Sequence, residues 1–304
     1  MRNAFAKAIT KIANKNKKVI LLSGDIGNRL FLEYKKLQPK RFYNCGIAEA
    51  TMTGVAAGLA LGGFQPVTYT ITPFNTVRCL EQIRLDICYP NLPVIIVGTG
   101  SGLSYANLGA THHSMEDIAI LRVLPNLNIL CPSDPVEVEL ALQEAIKLKK
   151  PTYIRLGKKG EPIINSKNKK FDIGKVDILK KGKNIAIISV GSVLSLVLKA
   201  EKIFQRNKIL PTIINLRTIK PLDENFLRQV FKNYEKIIIV EEHGLSGGAG
   251  SAILEWGAQN KKNLNKIICI GGPDKFLTSC GNQEEARKFI GLTAENIFKR
   301  FKNH

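Results

Sequence analysis

From the first residues to about position 156, short apolar runs bounded by glycine or proline alternate with segments whose apolar residues recur every three or four positions. This alternation predicts parallel βα units, because a strand covered on both faces reads as a continuous apolar run and its crossover helix as an amphipathic one. The strands fall at residues 19–22, 65–69, 94–97, 128–131 and 152–156, and the helices at 4–14, 48–61, 77–88 and 135–148. The last helix opens on Ser133-Asp134-Pro135, a cap residue followed by a proline whose fixed φ suits a first turn.

A second pattern of the same kind begins near residue 184. Its strands are expected at 184–189, 212–215, 236–240 and 266–270, with helices at 193–205, 223–232, 248–259 and 283–301. Between the two, residues 157–183 are rich in Lys, Gly, Asn and Pro and hold only short β-like pieces. The expected fold class is α/β, with two doubly wound α/β domains at residues 1–160 and 181–304 and a linker at 161–180. There is no internal repeat and no low-complexity segment.

The composition suits this picture: 304 residues with 44% apolar content can fill two cores. Apolar runs such as 185–190 and 237–240 are far shorter than the roughly 20 residues that span a bilayer. Residues 1–10 hold no continuous apolar stretch of the secretory kind, so a cytoplasmic protein with no membrane contact is expected. Cys45, Cys79, Cys88, Cys131, Cys269 and Cys280 form no CxxC pair, which points to reduced thiols and away from a zinc site or disulfide framework.

Charge is the unusual feature, with 45 basic against 25 acidic residues and a net +20. The lysines are spread over runs such as 15–18, 147–150, 167–170 and 180–183, without a recognition motif or interleaved aromatics, so no nucleic acid is expected. The excess reads as a solvated surface. Steering of an acidic partner or a phosphorylated substrate is the alternative.

Three segments carry candidate chemistry. Cys45-Gly46-Ile47-Ala48-Glu49-Ala50 follows a short strand-like piece and opens the small-residue helix. A carboxylate there is partly desolvated, which suits a proton donor; taken alone, it reads first as a first-turn glutamate favoured by the helix dipole. Gly109-Ala110-Thr111-His112-His113 puts histidines on a glycine turn. Val240 to Gly250 is glycine-rich before a helix, as a phosphate loop is. It lacks the Walker lysine and the dinucleotide spacing, so a structural turn is the better reading.

Taken in order, these segments resemble the transketolase superfamily over essentially the whole chain. The resemblance extends to residues 74–89, with Glu81-Gln82-Ile83-Arg84 inside, and to Asn215-Leu216-Arg217-Thr218-Ile219-Lys220-Pro221-Leu222-Asp223. The part resembled is the pyrimidine-binding domain and the C-terminal domain shared with deoxyxylulose phosphate synthases and the beta subunits of 2-oxo acid dehydrogenases. The implied cofactor is thiamine diphosphate. By that resemblance Glu49 hydrogen-bonds the pyrimidine nitrogen and favours its imino tautomer, Phe74 stacks on the pyrimidine, and Asp25 lies near it. His112 moves a proton or bonds substrate oxygens, His113 orients the loop, and Lys158 binds substrate phosphate where the family carries arginine.

The family's Gly-Asp-Gly metal motif is missing, since Gly24-Asp25-Ile26-Gly27-Asn28 has the wrong spacing. Mg²⁺ and the diphosphate are therefore expected on an N-terminal partner subunit, with the site at the interface, no metal ligand in this chain, and self-dimerisation besides. The expected activity is transfer of a two-carbon ketol unit between sugars or sugar phosphates. The alternatives are the beta subunit of a 2-oxo acid dehydrogenase or related decarboxylating enzyme, and a non-catalytic regulatory or structural partner. Leu108 stands where transketolases carry an acidic residue and Gly100 where they carry a substrate-contacting histidine, which leaves the donor sugar open.

Overall fold

The computed structural model describes residues 1–166, 168–278 and 281–304, so Cys280 lies outside the described residues. The strands in chain order are β1 (Val19–Ser23), β2 (Phe42–Asn44), β3 (Gln65–Ile71), β4 (Ile95–Thr99), β5 (Asn128–Leu130), β6 (Thr152–Leu156), β7 (Asp177–Lys180), β8 (Ile185–Val190), β9 (Thr212–Asn215), β10 (Thr218–Lys220), β11 (Lys236–Gly244) and β12 (Ile267–Gly272). They form two sheets, ordered β10-β5-β6-β4-β3-β1-β2 and β12-β11-β8-β9-β7. Every pairing is parallel except the edge pairs β10 with β5 and β7 with β9.

In the first sheet β1, β3, β4 and β6 are buried along their whole length, which demands cover on both faces. One face packs Phe5, Ile9, Val138 and Leu142, from the helices Arg2–Lys15 and Pro135–Leu148, over Leu21, Val67 and Val97. The other packs Met52, Ala56 and Ala60, from Glu49–Leu61, against Ile20, Leu22 and Ile96. Small residues on that helix let its backbone approach the sheet closely. Asp134 caps the Pro135 helix by accepting from the Glu137 amide at 2.8 Å, worth about 1 kcal/mol.

Three elements differ from the expected pattern. The helix expected at 77–88 starts only at Leu80, as a short α-turn at Leu80–Gln82 that runs into a π-turn at Ile83–Cys88, and a separate turn at Thr72–Asn75 precedes it. Thr76 Oγ1 bonds back to the Thr72 carbonyl at 2.7 Å, and β-branched Thr76 and Val77 interrupt the winding. The helix expected at 283–301 is two helices, Gln283–Phe289 and Ala294–Lys302, parted at Gly291 with φ +75° and restarted by Thr293, which caps the Asn296 amide. Finally β10 leaves the second half of the chain and pairs with β5 of the first sheet.

That crossing ties the two halves together, and a continuous core runs from Ile129 and Cys131 to Leu216 and Ile219. The segment expected as a connection is docked against both. Asp134 Oδ2 accepts from the Ile164 and Asn165 amides at 2.8 and 2.6 Å, and buried Phe171 lies under the Arg217 guanidinium at 4.7 Å. No helix among the described residues is long and apolar enough to cross a membrane.

Candidate active site

In a parallel α/β sheet the side chains free to meet a ligand gather beyond the carboxyl ends of the strands. The candidate residues follow that rule. Gly24 and Asp25 follow β1, Glu49 follows β2, Phe74 follows β3, His112 lies on the loop after β4, and Lys158 follows β6.

Glu49 is the first residue of its helix and is 1% exposed. Its Oε2 accepts from Arg78 Nη1 at 2.6 Å. The Arg78 guanidinium lies over the Phe74 ring, 4.5 Å from its centroid, and Phe74 meets the His112 ring edge-on at 5.1 Å. His112 is next to Tyr105, with centroids 6.0 Å apart, and Lys158 Nζ stands 4.2 Å over the Tyr105 ring. A continuous row of contacts thus joins Glu49, Phe74, His112 and Lys158.

Asp25 is on the rim, exposed, and turned to β2. Its Oδ1 accepts from Asn44 Nδ2 at 3.0 Å while its amide donates to Asn44 Oδ1 at 3.2 Å. Its neighbour Gly24 is pressed between Thr70 and the Glu49 side chain, where a Cβ would come within 3.1 Å of Glu49 Cγ. Gly24 thereby keeps the Glu49 carboxylate at the strand end.

Burial first, then the neighbouring His113 and Lys158 charges, hold the His112 imidazole below the ordinary histidine value, so it is neutral at pH 7. Thr111 Oγ1 is 2.9 Å from its Nδ1. Buried His113 sits with Nε2 3.1 Å from the Ala106 carbonyl, inside the loop. Lys158 is likewise lowered, by burial and by the positive charges of Lys159 and Arg2.

Two residues of this cluster, Tyr105 and Arg2, do not stand out in the sequence. Tyr105 fills the place that a side chain at Gly100 would take, since a Cβ there overlaps its ring. Burial raises the Tyr105 hydroxyl and the charge of nearby Arg2 opposes it. The available signal was a cation in the first turn of a helix, against the preference of the helix dipole. Arg84, singled out in the sequence, instead pairs with Glu81 at 3.2 Å on the surface. The glycine-rich turn before Ala249 has its donors in use, because Glu241 accepts from the Ala249 and Gly250 amides at 2.8 and 2.9 Å.

A buried carboxylate, an aromatic face and a histidine meet at the strand ends of a doubly wound sheet, backed by a second α/β unit, in a two-domain α/β protein. Residues 1–161 match the family described as transketolase, pyrimidine binding domain, and residues 174–297 match transketolase, C-terminal domain. The chain belongs to the transketolase family.

It is 34% identical to a Methanocaldococcus jannaschii protein named as a transketolase C-terminal section, over 99% of this chain and 94% of that one. It is 37% identical to an apulose-4-phosphate transketolase subunit of Actinobacillus succinogenes, over 85% of this chain and 83% of the relative. A solved structure titled split gene transketolase, inactive beta4 tetramer, superposes with a TM-score of 0.91 at 31% identity, covering 99% of this chain and 97% of that one.

Proposed function

We propose that this chain is the pyrimidine-binding and C-terminal subunit of a split, thiamine diphosphate-dependent transketolase. Joined to an N-terminal partner, it transfers a two-carbon ketol unit between sugars or sugar phosphates. The observation that carries the reading is the row of contacts from Glu49 through Phe74 and His112 to Lys158. Residues 1–160 are read as the pyrimidine-binding unit, 161–180 as its connection and 181–304 as the C-terminal unit.

A buried carboxylate beside a partly exposed aromatic ring fits the edge and the face of an aminopyrimidine. The cofactor, when bound, supplies the nucleophilic carbon and the electron sink. Glu49 hydrogen-bonds the ring and fixes its tautomer, and Phe74 orients its plane. His112, held neutral, accepts or returns a proton at a substrate oxygen. Lys158, over the Tyr105 ring, and Arg2, near it, attract the phosphate of the substrate as point charge and fork. Asp25 lines the rim.

The diphosphate and its Mg²⁺ are assigned to the partner, because Asp25 and Asn44 already bond one another in the segment nearest to a metal motif. Exposed apolar residues flank the mouth, Ile47 two positions before Glu49 at 82% exposure and Val77 beside Arg78 at 47%. Apolar surface next to a binding site marks a protein contact. The names of the two relatives, one a section and the other a subunit, support the same incompleteness. Leu108 offers no charge to a donor hydroxyl, which supports a donor unlike ordinary ketose phosphates.

The test is calorimetric titration of thiamine diphosphate with Mg²⁺, on this chain alone and with the product of the adjacent reading frame. Binding by the pair alone is expected; tight binding by this chain alone overturns the shared site. In the pair, Glu49→Gln should abolish turnover, and unchanged turnover would leave a non-catalytic role. Product analysis with pyruvate against ketose phosphates separates the transketolase from a decarboxylating relative.

A further inference from the structure

Arg78 is the link between Glu49 and Phe74 in that row of contacts, touching both groups assigned to the cofactor's pyrimidine, yet it has been given no part of its own in cofactor binding. Its Nη1 donates to Glu49 Oε2 at 2.6 Å, and its guanidinium carbon is 4.5 Å from the Phe74 centroid. A guanidinium is flat and delocalised, with N–H donors along its edge and a face that stacks on aromatic rings. An aminopyrimidine presents the same two features, a donor edge and a flat face.

We propose that Arg78 is an internal stand-in for the cofactor's pyrimidine: it occupies Glu49 and Phe74 in the unloaded protein, swings out when the cofactor enters, and so sets cofactor affinity. The inference rests on the functional reading of Glu49 and Phe74.

A carboxylate that is 1% exposed is costly to leave unpaired, so the unloaded site needs a cation against Glu49. Among the described residues Arg78 is the side chain in ion-pair distance of it. The pair is asymmetric, with 46% of the Arg78 side chain exposed against 1% for Glu49. The buried partner is fixed while the exposed one has a path to water.

The backbone of the swinging residue is anchored. The Arg78 amide donates to the Pro73 carbonyl at 3.2 Å, and the Cys79 amide to Thr76 at 3.2 Å. Rotation about side-chain bonds is enough to clear the Phe74 face. On leaving, the guanidinium exchanges its carboxylate for water while Glu49 exchanges Arg78 for the incoming ring, so neither charge is stranded. A residue that served as a lasting cofactor ligand would behave oppositely on removal, because the loaded state would then lose a contact.

The experiment is calorimetric titration of thiamine diphosphate, with Mg²⁺ present, into the pair assembled with the N-terminal partner, comparing wild type with Arg78→Ala. Thermal melts of both unloaded pairs accompany it. Loss of the stand-in should lower the Kd about tenfold, a difference of about 1.4 kcal/mol, and lower the melting temperature of the unloaded pair. An unchanged or raised Kd overturns the inference. Should Arg78→Ala fail to assemble, Arg78→Lys, which keeps the charge without the flat fork, should still bind the cofactor more tightly than wild type, and failure to do so overturns it equally. If the wild-type pair itself binds no cofactor, the functional reading falls and takes this inference with it, an outcome distinct from wild-type binding with no gain in the variants.

Discussion

Asp117 Oδ2 accepts from Arg155 Nε at 2.8 Å and from the Tyr153 hydroxyl at 2.6 Å, in a site closed to water. The same guanidinium donates through Nη2 to the Ser114 carbonyl and, in the second unit, to the Glu242 carbonyl at 3.2 and 2.9 Å. One ion pair therefore ties β6, the histidine loop and β11 together.

Replacing one member strands the other. Asp117→Asn leaves a buried guanidinium without its counter-charge and should cost roughly 3–5 kcal/mol, read as a lower urea midpoint. Burial pushes the Asp117 carboxyl up, but Arg155 and His243 push it down and prevail. A carboxyl depressed on folding stabilises above its unfolded value, about 3.9, and that stability is lost as pH falls through the lower folded value. Acid titration of stability should show this slope in wild type and lose it in Asp117→Asn.

The turn before Ala249 should bind no free phosphate, because an internal anion holds its donors. Each Glu241 oxygen takes one amide, Ala249 at 2.8 Å and Gly250 at 2.9 Å, and a Cβ at Gly248 would overlap the carboxylate. Glu241→Gln keeps the shape but turns an NH₂ toward a backbone N–H. The loss should be about 1–3 kcal/mol, measurable by thermal or urea unfolding.

What the sequence made legible was local. Glu49 and His112 sit in contiguous motifs at strand ends, and the expected strands at 19–22 and 94–97 are unbroken apolar runs. What stayed hidden depends on distant segments meeting. The pairing of β10 with β5 joins Thr218 to Leu130, and nothing within residues 218–220 records that partner. Arg2 comes near Tyr105 only because its helix packs across the first sheet. Arg84 drew attention through its motif, whereas the π-turn at Ile83–Cys88 turns it outward and leaves Arg78 facing Glu49.

His112 should remain neutral below the usual pH, which places the acid limb of the pair's turnover below the ordinary histidine range. Lys158 contributes to that depression after burial and His113. Removing its charge in Lys158→Gln makes protonation of His112 easier, so the acid limb should move to higher pH. A pH–rate profile of kcat for both proteins checks this, and an unmoved limb would show that His112 does not govern it.

Gly100 and Tyr105 form one joint, and a single methyl at Gly100 should open it. Gly100 has φ +77°, a left-handed conformation that alanine adopts only under strain, and an added Cβ overlaps the Tyr105 ring. Gly100→Ala should therefore cost about 1–3 kcal/mol in unfolding. It should also lower turnover, since the displaced ring is the surface under Lys158 and beside His112. Tyr105→Phe separates the two effects: it keeps the ring in place and removes only the hydroxyl, on which the Arg2 charge acts. Stability and kcat should then be close to wild type while KM rises for phosphorylated substrates, because the loss falls on phosphate positioning. A fall in kcat with KM unchanged would instead put the Tyr105 hydroxyl at the reacting atoms.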